Sequence, residues 1–291
     1  MIILCIVMGI IVKVNWEDYT SVMERVYIFD CDRIIGDEEK RTIIENMEGK
    51  AEVIFDNSEG YDRDTDIVIS TRCVGNRDVA GMEVIIREDI GVGCDYVGTA
   101  PYVIYEPEEI DYYYCQKVYA RKKGLPAFIL ETERFIVREE SLDDLDELYE
   151  LYDTLADCEF IEPLYELEKE KEFVRNYINN MYRFFEYGMW LVYSKDTGRL
   201  VGRMGIENRS IDGENVQEIG YLTGKPYQNM GIAYEVCSAI MEYAKEELGI
   251  DKLYSCIDKN NKPSISLIHK LGFKVYAQDI DGMNIYICEL N

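Results

Sequence analysis

The sequence is poor in the residues that metal sites, disulfide frameworks and nucleic-acid surfaces require. It has one histidine, and none of its nine cysteines forms a C-x-x-C pair. This pattern predicts neither a zinc site nor a disulfide framework, and it is typical of the reduced cytoplasm. The chain carries 31 lysines and arginines against 57 aspartates and glutamates, a formal net charge of −26. Because such a surface repels phosphates, we expect no nucleic-acid partner. The histidine and cysteine pattern leads us to expect no metal cofactor.

A hydrophobic run long enough to cross a membrane is also missing. The apolar stretch Met1 to Val12 has twelve residues, whereas a bilayer core needs about 20. No positive charge precedes it and no small-residue cleavage site follows it, as a secretory signal would require. We interpret the stretch as a buried strand or as the product of a start codon assigned too early, with Met8 and Met23 as alternative starts. No membrane partner is expected.

The length of 291 residues favours two domains, with the boundary at Gly124 to Pro126. Residues 1–127 alternate short β-branched runs with helical segments, which predicts a small α/β domain with parallel strands. Strands are predicted over residues 25–30, 52–56, 66–70 and 83–87, and helices over residues 37–47 and 107–123. The role of this domain stays open.

One motif in the first half follows a predicted strand. Asp30 and Asp32 form a D-x-D sequence that resembles the nucleophile and acid of haloacid-dehalogenase-type phosphatases. Arg33 and Ile34 replace that family's Gly-Thr, and no convincing lysine motif follows. The departures favour a degenerate relic or a plain α/β domain over an active phosphatase, which remains an alternative function.

The second half contains a strand, a short loop and a helix in direct succession. The predicted strand Glu218 to Thr223 leads to the loop Gln228 to Ala233, which opens a helix running to about Leu248. A glycine and an alanine in the loop allow the backbone to approach a ligand closely. The free N–H groups and the dipole of a helix start favour an anion. We therefore predict a pyrophosphate cradle made of main chain.

The order of the surrounding motifs adds specificity to this loop. A hairpin is predicted over residues 188–206, and a strand from Lys252 to Ile257 precedes an N-x-x-S sequence at Asn261 to Ser264 and the K-L-G-F sequence ending at Phe273. Together with the opening strand Thr132 to Arg138, the Q-x-x-G-x-A loop resembles the GNAT N-acetyltransferase superfamily, in its ribosomal-protein N-terminal acetyltransferase branch. The resemblance covers about residues 130–291. It implies an α/β fold over residues 128–291 with a mixed, mostly antiparallel sheet flanked by helices.

The resemblance implies a set of residues that bind acetyl-CoA. The loop amides would hold the pyrophosphate, the strand ending at Thr223 would pair with the pantetheine arm, and a backbone N–H near Leu222 would polarise the thioester carbonyl. Asn261 would hydrogen-bond the cofactor. The full implied set comprises Leu222, Thr223, Gln228, Asn229, Met230, Gly231, Ile232, Ala233, Asn261 and Ser264.

The acid and base of the reaction are less well defined by the resemblance. Glu218 is the candidate general base because it lies on the strand that would carry the thioester, and Glu207 is its rival. Many family members have a tyrosine that protonates the leaving thiolate, but Ile268 stands at that position here. Tyr221, Tyr254 and Ser264 are possible substitutes.

The function that follows from these residues is acetyl transfer to a primary amine by direct attack. The acceptor would be a small-molecule amine or a peptide amine such as a protein N-terminus, and a homodimer is left open. The alternative is a catalytically silent acyl-CoA-binding or interaction module. The fifteen acidic residues between Glu139 and Glu172 are interpreted as a solvated face, His269 as a surface residue, and the aromatic residues between Tyr182 and Trp190 as core.

Overall fold

The computed structural model describes residues 23–29, 35–57, 59–70, 102, 104, 106–211, 213–280 and 282–290, and the backbone alone of residues 3–7, 10–14, 82–86 and 103. The chain divides into two compact units. One unit is formed by residues 16–127, and the other by residues 128–291 together with residues 1–15.

The apolar run at the start of the sequence forms a hairpin rather than one strand. β1 (Ile3–Val7) and β2 (Ile10–Val14) pair antiparallel, with Val7 opposite Ile10. Pairing satisfies the backbone groups of both segments, which one isolated strand could not do.

The unit of residues 16–127 contains a parallel sheet, as its apolar runs predicted, with a fifth strand in addition to the four predicted ones. Its strands are β3 (Arg25–Phe29), β4 (Glu52–Phe55), β5 (Asp66–Ser70), β6 (Met82–Ile86) and β7 (Tyr102–Ile104), in the order β4-β3-β5-β6-β7. Helices α1 (Asp37–Asn46) and α2 (Tyr112–Lys122) contribute to its core, which includes Ile28, Ile43, Ile69 and Val118. The D-x-D motif and the two residues after it lie outside the described residues, so the phosphatase hypothesis stays a prediction.

The helix predicted over residues 107–123 is shorter than expected. Pro107–Glu109 forms a separate 3₁₀ turn, and α2 begins only after Asp111, whose carboxylate accepts the Tyr114 N–H at 2.7 Å. The extended backbone of Asp111 interrupts the helix, because an N-cap residue cannot be helical itself. Gly124 follows the helix with φ +71°, as the sequence predicted.

The unit that contains residues 128–291 is built on an eight-stranded, mostly antiparallel sheet, and this prediction is confirmed. The order is β14-β15-β13-β12-β11-β10-β9-β8. The strands are β8 (Phe128–Glu131), β9 (Phe135–Arg138), β10 (Met189–Ser194), β11 (Leu200–Ile211), β12 (Glu214–Thr223), β13 (Lys252–Asp258), β14 (Lys274–Ile280) and β15 (Met283–Glu289). The helices are α3 (Leu145–Asp153), α4 (Leu167–Tyr177), α5 (Ile232–Glu246) and α6 (Lys262–Lys270).

Strand alternation gives this sheet two distinct faces. On the α5 face, Met204, Ile206 and Ile219 are buried in one core with Val236 and Ile240 of α5. On the opposite face, which we call the α3 face, lie Arg203, Gly205 and Glu207 of β11 and, across the ladder, Leu222, Gly220 and Glu218 of β12. The α5 face is therefore the apolar core, and the α3 face carries the charged residues.

The aromatic segment before β10 is only partly core, contrary to the sequence interpretation. Tyr182, Tyr187 and Trp190 are buried, but Phe184 is 77% exposed and Phe185 is also exposed. The chain leaves the helical path after the π-helical turn Ile178–Tyr182. The two phenylalanines project outward because they fall on the connection between that turn and β10.

Candidate active site

A fork between two parallel strands lies at the centre of the candidate site. The strands β12 and β13, which are both fully described, pair with each other only at Glu218 and Tyr254. Beyond that pair, the edge of β12 from Gly220 to Thr223 has no register partner on β13. An open strand edge presents unpaired N–H and C=O groups, and it can accept an extended ligand as an additional strand.

The ladder with β11 decides which backbone groups of β12 face the fork. The Gly224 N–H donates to the Val201 carbonyl at 3.0 Å. Hydrogen-bonded pairs alternate along an antiparallel ladder, so Leu222 opposite Arg203 is also a hydrogen-bonded pair. The Leu222 N–H thus points toward β11, away from the fork. The N–H groups of Tyr221 and Thr223 point toward the fork instead.

The loop after β12 contains two residues in the left-handed region. Asn229 has φ 62°, and Gly231, the N-cap of α5, has φ 77°. The first backbone bond of the helix joins the Glu235 N–H to the Gly231 carbonyl at 3.1 Å. Among the described residues, no acceptor takes the N–H groups of residues 229–234. Left-handed residues within such a turn, followed by a helix start, make a concave array of amides suited to an anion.

Gln228 has a different role from the rest of its loop. Its own N–H donates to the Lys225 carbonyl at 3.4 Å, so this amide is less available than the following ones. Its side-chain Nε2 donates to the Thr223 carbonyl at 3.2 Å. Gln228 therefore ties the loop to the end of β12, and the array of free amides begins at Asn229.

An ion pair lies beside the amide array. The Arg134 Nε donates to Glu235 Oε2 at 2.7 Å, and its Nη1 donates to the Met230 carbonyl at 3.2 Å. Burial alone would raise the pKa of Glu235, but hydrogen bonds from Thr132 and Arg134 outweigh burial and lower it. Arg134 thus neutralises the carboxylate that would otherwise repel an anion at this helix start.

The two other residues of the implied cofactor set lie at the start of α6. Asn261 is its N-cap, and its Oδ1 accepts the Ser264 N–H at 3.2 Å. The Ser264 carbonyl accepts the Tyr221 hydroxyl at 3.2 Å, which links α6 to β12 across the fork. Burial raises the pKa of Tyr221 well above its ordinary value, so its hydroxyl stays protonated.

The residue at the position of the family tyrosine, Ile268, belongs to the hydrophobic core. Ile268 is fully buried in the core under α5 and α6. Of the proposed substitutes, Tyr221 and Ser264 lie together at the fork. Tyr254 packs with Ile211, Val216 and Ile285 in a separate cluster.

Glu218 is held on both oxygens. Its Oε1 accepts the Cys256 N–H at 2.6 Å, and its Oε2 pairs with Arg209 Nη1 at 2.8 Å. Burial and then the Glu218 carboxylate raise the pKa of Cys256 to about 11, so this thiol is protonated near neutral pH. Glu218 lies at the base of the fork, but its two oxygens are occupied.

Glu207 lies directly opposite Glu218 in the ladder and is held on one oxygen. Its Oε1 accepts the Tyr177 hydroxyl at 2.9 Å, and Tyr177 in turn accepts the Met189 N–H at 2.7 Å. Burial and the nearby carboxylate raise the pKa of Tyr177 well above its ordinary value. Among the described residues, no donor bonds Glu207 Oε2. The Tyr177 contact carries no signal in the sequence, because 30 residues separate the partners.

Several acidic residues of the stretch from Glu139 to Glu172 are buried, which corrects their interpretation as a solvated face. Glu139, Glu140, Asp144 and Glu170 are each at most 6% exposed. Asp144 pairs with Arg138, and Glu140 pairs with Arg203 at 2.9 Å. Burial raises the pKa of Glu140 despite that arginine. Arginines on β9 and β11 thus permit the burial of Asp144 and Glu140.

His269 lies on the surface of α6, as predicted, with its Nδ1 at 3.3 Å from the Phe273 carbonyl. In the described part of the chain, no group of three histidine, cysteine, aspartate or glutamate residues is arranged to hold a metal ion. None of the described helices is long and apolar enough to cross a membrane.

A fork beside a strand–loop–helix turn with free amides defines an enzyme class that binds an anionic, extended cofactor. Residues 134–274 match the family described as acetyltransferase (GNAT) domain. The chain belongs to this family, and the protein is an acetyltransferase.

Named relatives of the chain come from bacilli. It is 32% identical over 119 residues to the uncharacterized protein YkkB of Bacillus subtilis, which covers 40% of this chain and 69% of YkkB. It is 29% identical over 147 residues to the uncharacterized N-acetyltransferase YnaD of the same species, which covers 50% of this chain and 82% of YnaD. Among solved structures, an acetyltransferase from Agrobacterium tumefaciens str. C58 is 22% identical, with 55% of this chain and 93% of that one covered and a TM-score of 0.47.

Proposed function

We propose that the protein is an acetyl-CoA-dependent N-acetyltransferase that acetylates a primary amine by direct attack. The observation that carries the proposal is the run of free amides over residues 229–234 at the start of α5. These amides lie next to the open edge of β12. The site can accommodate a ligand with a diphosphate on the amides and an extended arm along the edge of β12.

The residues present fit the cofactor. Asn229 to Ala233 would hold the pyrophosphate by backbone donors, and Gln228 would position the loop through Thr223. Asn261 would contribute its side-chain amide nitrogen, since its Oδ1 is used in the helix cap. Bound acetyl-CoA would supply an activated acetyl thioester.

The backbone donor toward the thioester carbonyl is assigned to Tyr221 or Thr223 rather than to Leu222. Both N–H groups point toward the fork, whereas the Leu222 N–H points toward β11. A pre-positioned backbone donor stabilises the negative charge that develops on a carbonyl oxygen, by about 3 kcal/mol in comparable sites.

The reaction forms one C–N bond and breaks one C–S bond. The attacking nitrogen loses a proton, and the leaving sulfur gains one. Glu207 is the better-placed acceptor of that proton, because one of its oxygens has no donor while both oxygens of Glu218 are bonded. Tyr221 is the candidate donor to sulfur because its hydroxyl lies at the fork, and its hydrogen would have to turn from the Ser264 carbonyl toward the sulfur.

Calorimetry with acetyl-CoA tests the binding half of the proposal. Gly231→Glu places a carboxylate in the amide array and should abolish binding. Gly249→Glu is the matched control, because Gly249 also has positive φ and lies just beyond the other end of α5. If the wild type does not bind, or if Gly231→Glu binds as tightly as Gly249→Glu, the proposal is wrong.

Release of free thiol in the presence of amines tests the catalytic half. The buried Ile268 at the tyrosine position favours the alternative of a silent acyl-CoA-binding module. Tight binding without thiol release from any amine would support that alternative. Release that falls in Tyr221→Phe would support the enzyme and the assigned proton donor.

A further inference from the structure

A row of three aromatic rings runs from Tyr165, just before α4, through Phe173 to Tyr177 at the end of α4. The Phe173 ring lies 5.7 Å from the Tyr177 ring and 5.8 Å from the Tyr165 ring, measured between centroids. Phe173 is 38% exposed. The Tyr177 hydroxyl donates to Glu207, so Tyr177 contacts both the exposed Phe173 ring and an exposed carboxylate.

We propose that the acceptor is a monocationic primary amine on an aromatic or other apolar group. Its ammonium would bind Glu207, and its apolar part would cover Phe173. This inference rests on the proposed function, since it names the substrate of the same site. A ring face beside a carboxylate is complementary to a cation with an apolar body, because both the ring quadrupole and the carboxylate attract the charge.

The arginines around Glu207 are already neutralised. Arg203 pairs with Glu140, and Arg209 pairs with Glu218. Tyr177 is a neutral donor. No lysine or arginine that the structure describes forms an ion pair with Glu207. Lys169 lies 4.0 Å from the centroid of the Tyr165 ring, so a cation already covers one face of that exposed ring, and Phe173 is the exposed ring next to Tyr177.

The same pairing explains why one positive charge suits the site. Two carboxylates face each other at this position of the ladder, but Arg209 and the Cys256 N–H occupy Glu218. One carboxylate is left for the ligand. A polyamine or an aminoglycoside would bring additional positive charges, and the only other carboxylate at this position of the ladder, Glu218, is already paired.

The proton path of this complex is balanced. The ammonium N–H bond breaks and an O–H bond forms on Glu207, which leaves a neutral amine. That amine forms the C–N bond as the C–S bond of the thioester breaks. The acylated nitrogen then loses its second proton and the departing sulfur gains one, while the proton held by Glu207 is released to solvent. Tyr177 is a positioning residue, because it acts through Glu207.

The test compares kcat/KM for phenethylamine, ethylamine and spermidine, measured by thiol release. We expect phenethylamine to exceed both others by at least tenfold. Phe173→Ala should remove most of that preference, because kcat/KM for phenethylamine should fall by at least tenfold more than kcat/KM for ethylamine. Phe184→Ala is the control, because Phe184 is an exposed ring outside the row. Equal rates with all three amines, or a preference for spermidine, would overturn the inference and leave the proposed function intact.

Binding provides a readout that needs no turnover. Phenethylammonium should bind the CoA-loaded protein, and Glu207→Gln should weaken that binding at least tenfold. Glu214→Gln, an exposed carboxylate on the same hairpin, is the charge-matched control. Tyr177→Phe should lower kcat/KM for all amines but keep the preference for phenethylamine. If phenethylammonium does not bind, or binds Glu207→Gln as well as Glu214→Gln, the inference is wrong whether or not acetyl transfer occurs.

Discussion

Glu207 and Glu218 face each other across the ladder of β11 and β12, and only Glu207 keeps an oxygen without a donor. Like charges directly opposite each other in a sheet repel. Arg209 and the Cys256 N–H compensate Glu218, whereas a neutral tyrosine holds Glu207. Glu218 therefore has a structural role in this pair, whereas Glu207 is available to a ligand.

The first prediction separates these two carboxylates by kinetics. Glu207→Gln should lower kcat/KM by about 100-fold, because a positioned base contributes 10²–10⁴-fold. Glu218→Gln should lower it by less than about fivefold and should cost about 1 kcal/mol of stability or less, since the Arg209 pair is partly exposed. Steady-state kinetics and urea unfolding of both variants check this. A larger kinetic loss in Glu218→Gln would restore Glu218 as the base.

The second prediction concerns the left-handed glycine of the loop. A Cβ on Gly231 would lie 3.7 Å from Arg134, so space is available and only its φ of +77° opposes alanine. Gly231→Ala should therefore lose about 1–2 kcal/mol and should weaken acetyl-CoA binding as the loop relaxes. Gly249→Ala carries the same backbone penalty at φ +62° away from the loop. It should lower Tm alone, and equal affinities of the two variants would contradict the assigned cradle.

The third prediction concerns the buried pair of Arg138 and Asp144. Arg138 Nη1 donates to Asp144 Oδ2 at 2.8 Å, and both side chains are buried. Asp144→Asn would leave the arginine charge without its partner, so we expect a loss of about 3–5 kcal/mol in urea unfolding. Arg138→Met with Asp144→Leu should be less destabilising than Asp144→Asn alone. The opposite order would show that the pair adds net stability.

The fourth prediction is the pH dependence of that pair. Burial alone would raise the pKa of Asp144, but the Arg138 hydrogen bond and charge outweigh burial and lower it below the unfolded value. The ionised Asp144 therefore makes its full contribution to stability above about pH 4, near the unfolded pKa. This contribution is lost as the pH falls through the folded pKa. Urea unfolding can be measured between about pH 3 and pH 6, a range that includes the unfolded pKa of aspartate. The free energy of unfolding should fall more steeply with decreasing pH in the wild type than in Asp144→Asn. Parallel curves would contradict the lowered pKa.

The fifth prediction tests the close approach of β10 and β11. A Cβ on Gly205 would lie 2.0 Å from the Gly188 carbonyl oxygen, whereas one on Gly220 would meet the Met189 sulfur at 3.0 Å. Backbone cannot move as a side chain can, so Gly205→Ala should cost about 3 kcal/mol, at the upper end for overpacking. Gly220→Ala should cost less than half as much. Thermal unfolding of both variants checks the order.

Local patterns were sufficient to predict the strand, loop and helix from Glu218 onward, because turn glycines and hydrophobic periods depend on neighbours in sequence. The contact between Ser141 and Asp144, whose Oδ2 accepts the Ser141 N–H at 2.7 Å, is local in the same sense because the two residues are three apart. The start of α2 was not predicted correctly, because the helix begins after the cap at Asp111 rather than at Pro107.

The positions of contacts between distant segments could not be predicted. Which backbone groups of β12 face the fork depends on its register with β11, and a shift of one residue would have reversed the answer for Leu222. The burial of Glu140 and Asp144 likewise depends on arginines carried by other elements of the fold.

The sequence by itself determined the family, the mostly antiparallel sheet and the place of the anion-binding turn, since each follows from the order of short local motifs. The tertiary structure alone decided that Tyr221 reaches Ser264 and that Glu207 rather than Glu218 keeps an oxygen without a donor among the described residues. The physical reason is that hydrogen-bond partners far apart in sequence are chosen by strand register and helix packing.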